Sequence, residues 1–154
     1  SLAKNIPGAS ITATDISRHA LRIAKENAVL NSADITFIHD DILNPDYFKY
    51  NKYDLAVSNP PYVTISEKKD IDINIIEYEP PGALFVPDDN AMKYYVAVLD
   101  FCESRLRERG RVYFEINESK GREIKELLGR YRYKNISVNK DINGRDRIAK
   151  GIKG

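Results

Sequence analysis

The sequence predicts an α/β protein with a mostly parallel sheet that ends in an antiparallel hairpin. Short apolar or β-branched segments alternate with segments of helical periodicity along most of the chain. Acidic residues or an Asn-Pro-Pro-Tyr turn follow successive predicted strands, at the sheet edge where open α/β sheets bind ligands. The last two predicted strands flank a short glycine-containing connection, which is typical of an antiparallel pair.

Length and composition fit a single domain over residues 1–154. The 24 lysines and arginines nearly balance the 23 aspartates and glutamates, so the formal net charge of +1 gives no global field for nucleic acid. With one cysteine and two histidines, the chain offers neither a disulfide framework nor a structural metal site. No apolar run reaches transmembrane length. We expect a soluble cytoplasmic domain without a metal; the sequence does not indicate its oligomeric state.

The first predicted strand, residues 10–14, ends at Asp15. Residues 1–6 are typical of the last turns of a helix, and Ser17 is a suitable N-cap for the helix that runs to about residues 31–32. A carboxylate at a strand-to-helix junction can accept both hydroxyls of a ribose, as acidic residues do in nucleotide-binding βαβ units. An Asx-type turn or a helix-dipole partner is the alternative for Asp15.

The second predicted strand, residues 35–39, is also followed by acids. A carboxylate at Asp41 can accept from an exocyclic amine such as that of adenine, and Ile42 can cover an aromatic ring. A solvated acidic loop is the alternative interpretation. Residues 46–50 are predicted to form a helical turn before the third strand, residues 53–58.

An Asn-Pro-Pro-Tyr turn ends the third predicted strand. Two prolines cannot donate to a strand ladder, so the backbone must leave the sheet in a stiff, extended form. Asn59 and the carbonyl of Pro60 can accept hydrogen bonds from the two N–H groups of a planar amide or amino group. Tyr62 can stack on the plane of the same group. The alternative is a proline turn with an Asn cap.

Beyond Tyr62 the pattern is irregular up to about residue 87, which predicts either a substrate lid or a tolerated surface insertion. Residues 88–90 are predicted to cap a long helix that ends at Gly110 and has Cys102 in its apolar pattern. The remaining predicted elements are a strand at 111–116, a helix at 118–128, and two strands at 133–138 and 147–152.

Four segments resemble the catalytic domain of the protein-(glutamine-N5) methyltransferases of the HemK/PrmC type. They are residues 11–17, Asn-Pro-Pro-Tyr at 59–62, Glu-Pro at 79–80 and Gly-Arg-Asp-Arg at 144–147. These enzymes methylate the glutamine of the Gly-Gly-Gln motif in peptide chain release factors, which act in translation termination. The resemblance implies a Rossmann-like class I S-adenosylmethionine-dependent methyltransferase fold, with release factors as protein substrates.

The resemblance also implies that S-adenosyl-L-methionine is the cofactor. Asp15 would bind the ribose hydroxyls, with Ile16 near the adenine. Asp41 and Ile42 would lie at the adenine itself, and Asn59 is expected to contact the cofactor as well as the substrate.

The substrate residues follow from the same resemblance. Asn59 and the carbonyl of Pro60 would accept the two amide hydrogens of the target glutamine, and Tyr62 would pack against its side chain. These three residues form the expected catalytic set. The residues expected at the substrate are Asn59, Pro60, Pro61, Tyr62, Glu79 and Pro80.

Two departures from the family pattern stand out. The family's first strand and glycine-rich loop are missing, so we expect an N-terminally truncated domain with weak or no cofactor binding, which calorimetric titration would test. Residues 115–117 also depart from a glycine-containing turn after a strand. The competing interpretations are an adenine-N6 nucleic-acid methyltransferase, which shares Asn-Pro-Pro-Tyr but should carry a basic recognition region, and a non-catalytic peptide-binding module.

Overall fold

The structure is a computed structural model that describes residues 1–70 and 80–154. The chain forms two compact units, Ser1–Tyr50 and Asn51–Gly154. Among the described residues, no helix has the length and apolar character needed to span a bilayer.

The first unit is a small parallel βαβ arrangement. Its elements are α1 (Leu2–Asn5), β1 (Thr12–Asp15), α2 (Arg18–Leu30), β2 (Thr36–His39) and a 3-10 turn (Tyr47–Lys49). Strand β1 pairs in parallel with β2, with Asp15 opposite His39. The carboxyl ends of both strands therefore lie at one edge of this sheet, which is where ligands of open α/β sheets bind.

The start of α2 confirms the predicted N-cap. The Ser17 Oγ accepts a hydrogen bond from the Ala20 backbone N–H at 3.2 Å, which satisfies one of the first free donors of the helix. Leu21 and Ala28 are the buried residues of this helix.

The second unit is built on a four-stranded sheet. Its elements are β3 (Tyr53–Ser58), β4 (Val63–Thr64), α3 (Pro81–Leu84), β5 (Phe85–Val86), α4 (Lys93–Arg105), β6 (Leu106–Glu115), α5 (Gly121–Arg130), β7 (Lys134–Lys140) and β8 (Asp146–Ile152). The strand order is β3-β6-β8-β7, with β3 parallel to β6 and β8 antiparallel to both of its neighbours. The predicted C-terminal antiparallel hairpin is confirmed.

The core of this unit lies between the sheet and helices α4 and α5. Val112 and Phe114 of β6 are fully buried, as are Ile124 and Leu128 of α5. The ring of Tyr95 on α4 packs edge-on against Phe114, with centroids 5.2 Å apart and planes at 84°. The buried residues of α5 therefore form its core-facing side.

The predicted boundaries of the long helix are wrong at both ends. Residues 88–90 form a separate 3-10 turn, and α4 begins at Lys93 without a side-chain cap. The helix ends at Arg105, and Gly110 lies inside β6. The helix ends early because the Lys153 ammonium donates to backbone carbonyls at its end, including that of Cys102 at 3.1 Å.

The predicted strand and helix after Gly110 are also shifted. Strand β6 is longer than predicted because it starts at Leu106, directly after α4. Helix α5 starts later than predicted, because Asn117 forms an Asx turn: its Oδ1 accepts from the Ser119 N–H at 2.9 Å.

The segment predicted as an irregular loop after Tyr62 is regular at its described ends. Strand β4 pairs in parallel with β5, and Ile65–Asp70 forms a 3-10 helix. The Glu67 Oε2 accepts from both the backbone N–H and the hydroxyl of Thr64, each at 2.9 Å. These contacts fold the start of the segment onto itself. Glu79 lies outside the described residues, so its predicted role stays a prediction.

Candidate active site

Asp15 lies at the carboxyl end of β1, where β1 gives way to α2. Its Oδ1 accepts a hydrogen bond from the Ser17 N–H at 2.7 Å, so the Asx turn considered from the sequence is present. The Oδ2 atom accepts no hydrogen bond from the part of the chain that the structure describes. One carboxylate oxygen therefore fixes the backbone, and the other remains available to a hydroxyl group.

Ile16 and His39 form the surface next to Asp15. The Ile16 side chain is 64% exposed. A ring nitrogen of His39, Nε2, lies 2.9 Å from the Ile16 carbonyl oxygen. The carbonyl can only accept, so Nε2 carries a hydrogen here. The imidazole thus holds the Ile16 backbone while the Ile16 side chain faces outward.

The two consecutive acids after β2 have different environments. Asp40 is largely buried and accepts hydrogen bonds from the Asp46 N–H at 2.9 Å and the Tyr50 hydroxyl at 3.0 Å. Burial raises the pKa of Asp40, but these hydrogen bonds outweigh it, and the pKa lies below its usual value. Asp41 uses one oxygen to accept from the Leu43 N–H at 2.9 Å. Asp40 therefore supports the loop, and Asp41 presents a carboxylate beside Ile42.

The Asn-Pro-Pro-Tyr turn follows β3 directly, as the sequence predicts. Asn59 is exposed, and no described residue hydrogen-bonds its side chain. Pro60 is buried and Pro61 is half-buried, so the rigid part of the turn is packed against the unit. The side-chain amide of Asn59 is consequently presented to solvent from a stiff backbone.

Tyr62 is held through its side-chain hydroxyl. Its hydroxyl donates to the Glu115 Oε1 at 3.3 Å, and the Arg147 guanidinium lies beside the same hydroxyl. Burial and the Glu115 carboxylate raise the pKa of Tyr62, and Arg147 partly opposes them. The Tyr95 hydroxyl donates to the Glu115 backbone carbonyl at 3.1 Å. Tyr62 is therefore a neutral, hydrogen-bonded phenol at physiological pH.

A family comparison assigns the chain. The methyltransferase small domain family matches residues 1–88, which include both acidic strand ends and the Asn-Pro-Pro-Tyr turn. The chain belongs to this family. The methyltransferase small domain thus contains every predicted site residue in a single matched segment.

Curated relatives narrow the family further. The release factor glutamine methyltransferase of Flavobacterium psychrophilum is 47% identical over 97% of this chain and 52% of its own length. The enzyme of the same name from Bacteroides thetaiotaomicron is 40% identical over 96% of this chain and 53% of its own length. The resemblance to the glutamine methyltransferases is confirmed. The chain spans about half the length of the curated relatives it matches.

Solved structures confirm the fold class. A methyltransferase from Pyrococcus furiosus aligns with a TM-score of 0.70 and 16% identity, over 99% of this chain and 67% of that chain. A putative methyltransferase from Streptococcus mutans, solved in complex with SAH, aligns with a TM-score of 0.55 and 15% identity over 94% and 76%. At these identities the likeness concerns the fold, and the Rossmann-like class I methyltransferase fold is confirmed.

Within the methyltransferase small domain, the predicted site residues form two groups. Asp15, Ile16, Asp41 and Ile42 lie at the carboxyl edge of the β1–β2 sheet. Residues 59–62 lie at the carboxyl end of β3 in the second unit. Pro80 is exposed, and its carbonyl accepts from the Ala83 N–H at the start of α3.

Two supporting residues were missed from the sequence. In the sequence, Glu115 is only part of a departure from a family pattern, and Arg147 is only the last residue of a motif. The positions of the two residues at strand ends are the feature that could have identified them. Glu115 ends β6, and Arg147 lies at the start of β8, which pairs with β6. Polar residues at the adjoining ends of paired strands can share one neighbour.

Proposed function

We propose that the protein that carries this chain transfers a methyl group from S-adenosyl-L-methionine to a glutamine side-chain amide. The target is the glutamine of the Gly-Gly-Gln motif in peptide chain release factors. The observation that carries the proposal is the turn at 59–62, where an exposed Asn59 amide stands on a buried proline backbone next to a fixed tyrosine. The names of the curated relatives support this substrate class.

The chemical problem is that an amide nitrogen is a poor nucleophile, because its lone pair is delocalised into the carbonyl. The Asn59 side-chain oxygen and the Pro60 carbonyl accept hydrogen bonds from the two N–H groups of the substrate amide. These hydrogen bonds raise the electron density on nitrogen and fix its orientation. When bound, S-adenosyl-L-methionine supplies an electrophilic methyl group. Once the nitrogen has gained the methyl group, it carries one proton more than the neutral product. This proton leaves only after the methyl transfer, so the mechanism requires no strong general base from the chain.

The residues of the first unit fit the nucleoside part of this cofactor. The open Oδ2 of Asp15 can accept from ribose hydroxyls, and the exposed Ile16 side chain offers an apolar surface for adenine. Asp41 can accept from the exocyclic amine, with Ile42 alongside. In this proposal Asn59 contacts the cofactor as well as the substrate amide.

The near-neutral net charge and the names of the relatives favour a protein substrate over nucleic acid. We propose the cytoplasm as the compartment, because release factors act there. Nothing in the proposal requires a membrane or a metal.

Radiolabelled cofactor tests the proposal against both alternatives. The full-length protein that carries this chain is incubated with a release factor, with the Gln→Ala variant of its Gly-Gly-Gln motif, and with a DNA oligonucleotide. We expect label on the wild-type release factor alone. Label on DNA but not on the release factor would support the nucleic-acid enzyme instead. Tight release-factor binding without label would support the non-catalytic module.

A further inference from the structure

The Gly-Arg-Asp-Arg motif at 144–147 has no role in the chemistry above. It begins within the tight connection between β7 and β8 and continues into β8. Asp141 organises this connection: its Oδ1 accepts from the Asn143 N–H at 2.9 Å and the Arg145 N–H at 3.0 Å. Gly144 has a φ of +78°, a conformation that other residues rarely adopt. This connection is therefore a fixed turn.

The two arginines of the motif face different partners. Arg145 forms an ion pair with Glu118 at 3.1 Å, and both side chains are about half exposed. Arg147 pairs instead with Asp141 at 3.5 Å, and both side chains are more buried than those of the first pair. The same aspartate thus shapes the turn and holds Arg147.

The pairing of β6 with β8 places Arg147 near the Asn-Pro-Pro-Tyr turn. The Ile116 N–H donates to the Arg147 carbonyl at 2.9 Å, so the end of β6 and the start of β8 are locked side by side. Glu115 precedes Ile116 and accepts from the Tyr62 hydroxyl at 3.3 Å. The Arg147 guanidinium is close enough to Tyr62 to oppose the rise in its pKa. A carboxylate and a guanidinium therefore both act on this phenol.

We propose that Glu115 and Arg147 are positioning residues that clamp the Tyr62 hydroxyl and thereby fix the Asn-Pro-Pro-Tyr turn. Asp141 orients Arg147 within this clamp. The acceptor groups at Asn59 and Pro60 belong to the same four-residue turn as Tyr62. If the Tyr62 side chain is free to rotate, these acceptor groups no longer keep a fixed position. The effect on methyl transfer rests on the proposed function, whereas the clamp itself does not.

Nuclear magnetic resonance tests the clamp without any activity assay. Tyrosine labelled with 13C at Cζ is incorporated into the chain, and the Tyr62→Phe variant assigns the Tyr62 signal. We expect Arg147→Ala to raise the pKa of Tyr62, because a nearby positive charge is removed. We expect Glu115→Gln to lower it, because a negative charge is removed. Arg145→Ala is the matched control from the same motif and should leave the signal in place.

Unchanged Tyr62 titration in both Arg147→Ala and Glu115→Gln would overturn the clamp. Equal shifts in Arg147→Ala and Arg145→Ala would overturn it as well, because the effect would then come from the general charge of the hairpin. Circular dichroism on each variant identifies unfolding, in which case Arg147→Lys replaces the alanine variant and should give a smaller shift in the same direction.

Steady-state kinetics on the full-length protein test the consequence for catalysis. We expect Arg147→Ala to lower kcat for release-factor methylation by about 10- to 100-fold, because misplacement of the acceptor groups by about 1 Å can cost that much. An unchanged kcat beside a shifted Tyr62 signal would overturn the positioning role. If the wild-type protein methylates no release factor while the shifts occur, the proposed function fails and the clamp stands.

Discussion

At the residue scale, the candidate site separates side chains that hold structure from side chains that are available to a ligand. The Asp40 side chain is 9% exposed and accepts from the Asp46 N–H and the Tyr50 hydroxyl, whereas Asp15 keeps one oxygen open. Tyr62 is held by its hydroxyl, whereas the Asn59 amide next to it has no described partner. Buried polar groups are normally satisfied within the protein, so the open ones are the candidates for substrate contact.

Asn59 should be dispensable for folding and required for turnover. We expect Asn59→Ala to lower kcat for glutamine methylation by at least about 100-fold, because one of two acceptors for the amide hydrogens is lost. The free energy of unfolding should change by less than about 0.5 kcal/mol, because the side chain is exposed. Asn51→Ala, also exposed in the same unit, is the control for both measurements. A variant that retains full activity would exclude Asn59 from the catalytic set.

At the element scale, the end of α4 depends on a residue far away in the sequence. Lys153 is 9% exposed and donates to the carbonyls of Cys102, Glu103 and Leu106 at 3.1, 2.8 and 3.1 Å. Carbonyls at the end of a helix have no partner within the helix. The lysine therefore satisfies them and allows β6 to start at once.

Replacing this lysine should destabilise the protein. We expect Lys153→Met to cost about 2 to 3 kcal/mol in the free energy of unfolding, because buried carbonyls lose a charged donor while the shape is kept. Urea denaturation measures the effect. Lys150→Met, on the preceding strand β8, is the control, and a similar loss in both variants would show that the effect is not due to the helix end.

Local signals were sufficient for several elements. The bounds of β3 agree with the predicted strand, because its apolar run ends at two prolines, and α2 starts after its serine cap. The end of α4 could not be read from the sequence, because Gly110 offered a local stop signal and the true cause is Lys153. The start of α5 depended on an Asx turn that competes with a helix start.

At the scale of the whole molecule, the residues predicted at the nucleoside of the cofactor and the Asn-Pro-Pro-Tyr turn belong to different compact units. The sequence was sufficient for placing both groups at strand ends, because strand ends in an α/β fold are recognisable from local pattern. The sequence could not reveal the contact of Glu115 and Arg147 with Tyr62. Tyr62 and Glu115 are separated by 53 positions along the chain, and strand pairing brings such distant residues together.

The prediction of a single domain over residues 1–154 can be tested by thermal unfolding. A single domain should unfold in one cooperative transition that is the same by far-ultraviolet circular dichroism and by tyrosine fluorescence. Tyr133 and Tyr95 report on the second unit, and Tyr47 and Tyr50 on the first. Two separate transitions would show that the units fold independently.

Mapping the methyl group by mass spectrometry tests the central claim most directly. A release factor is incubated with S-adenosyl-L-methionine and the full-length protein, then digested. We predict a single added methyl group on the side-chain nitrogen of the glutamine in the Gly-Gly-Gln motif, and none when the protein carries Asn59→Ala. A methyl group on any other release-factor residue, or an unmodified release factor beside a methylated DNA oligonucleotide, would contradict the claim.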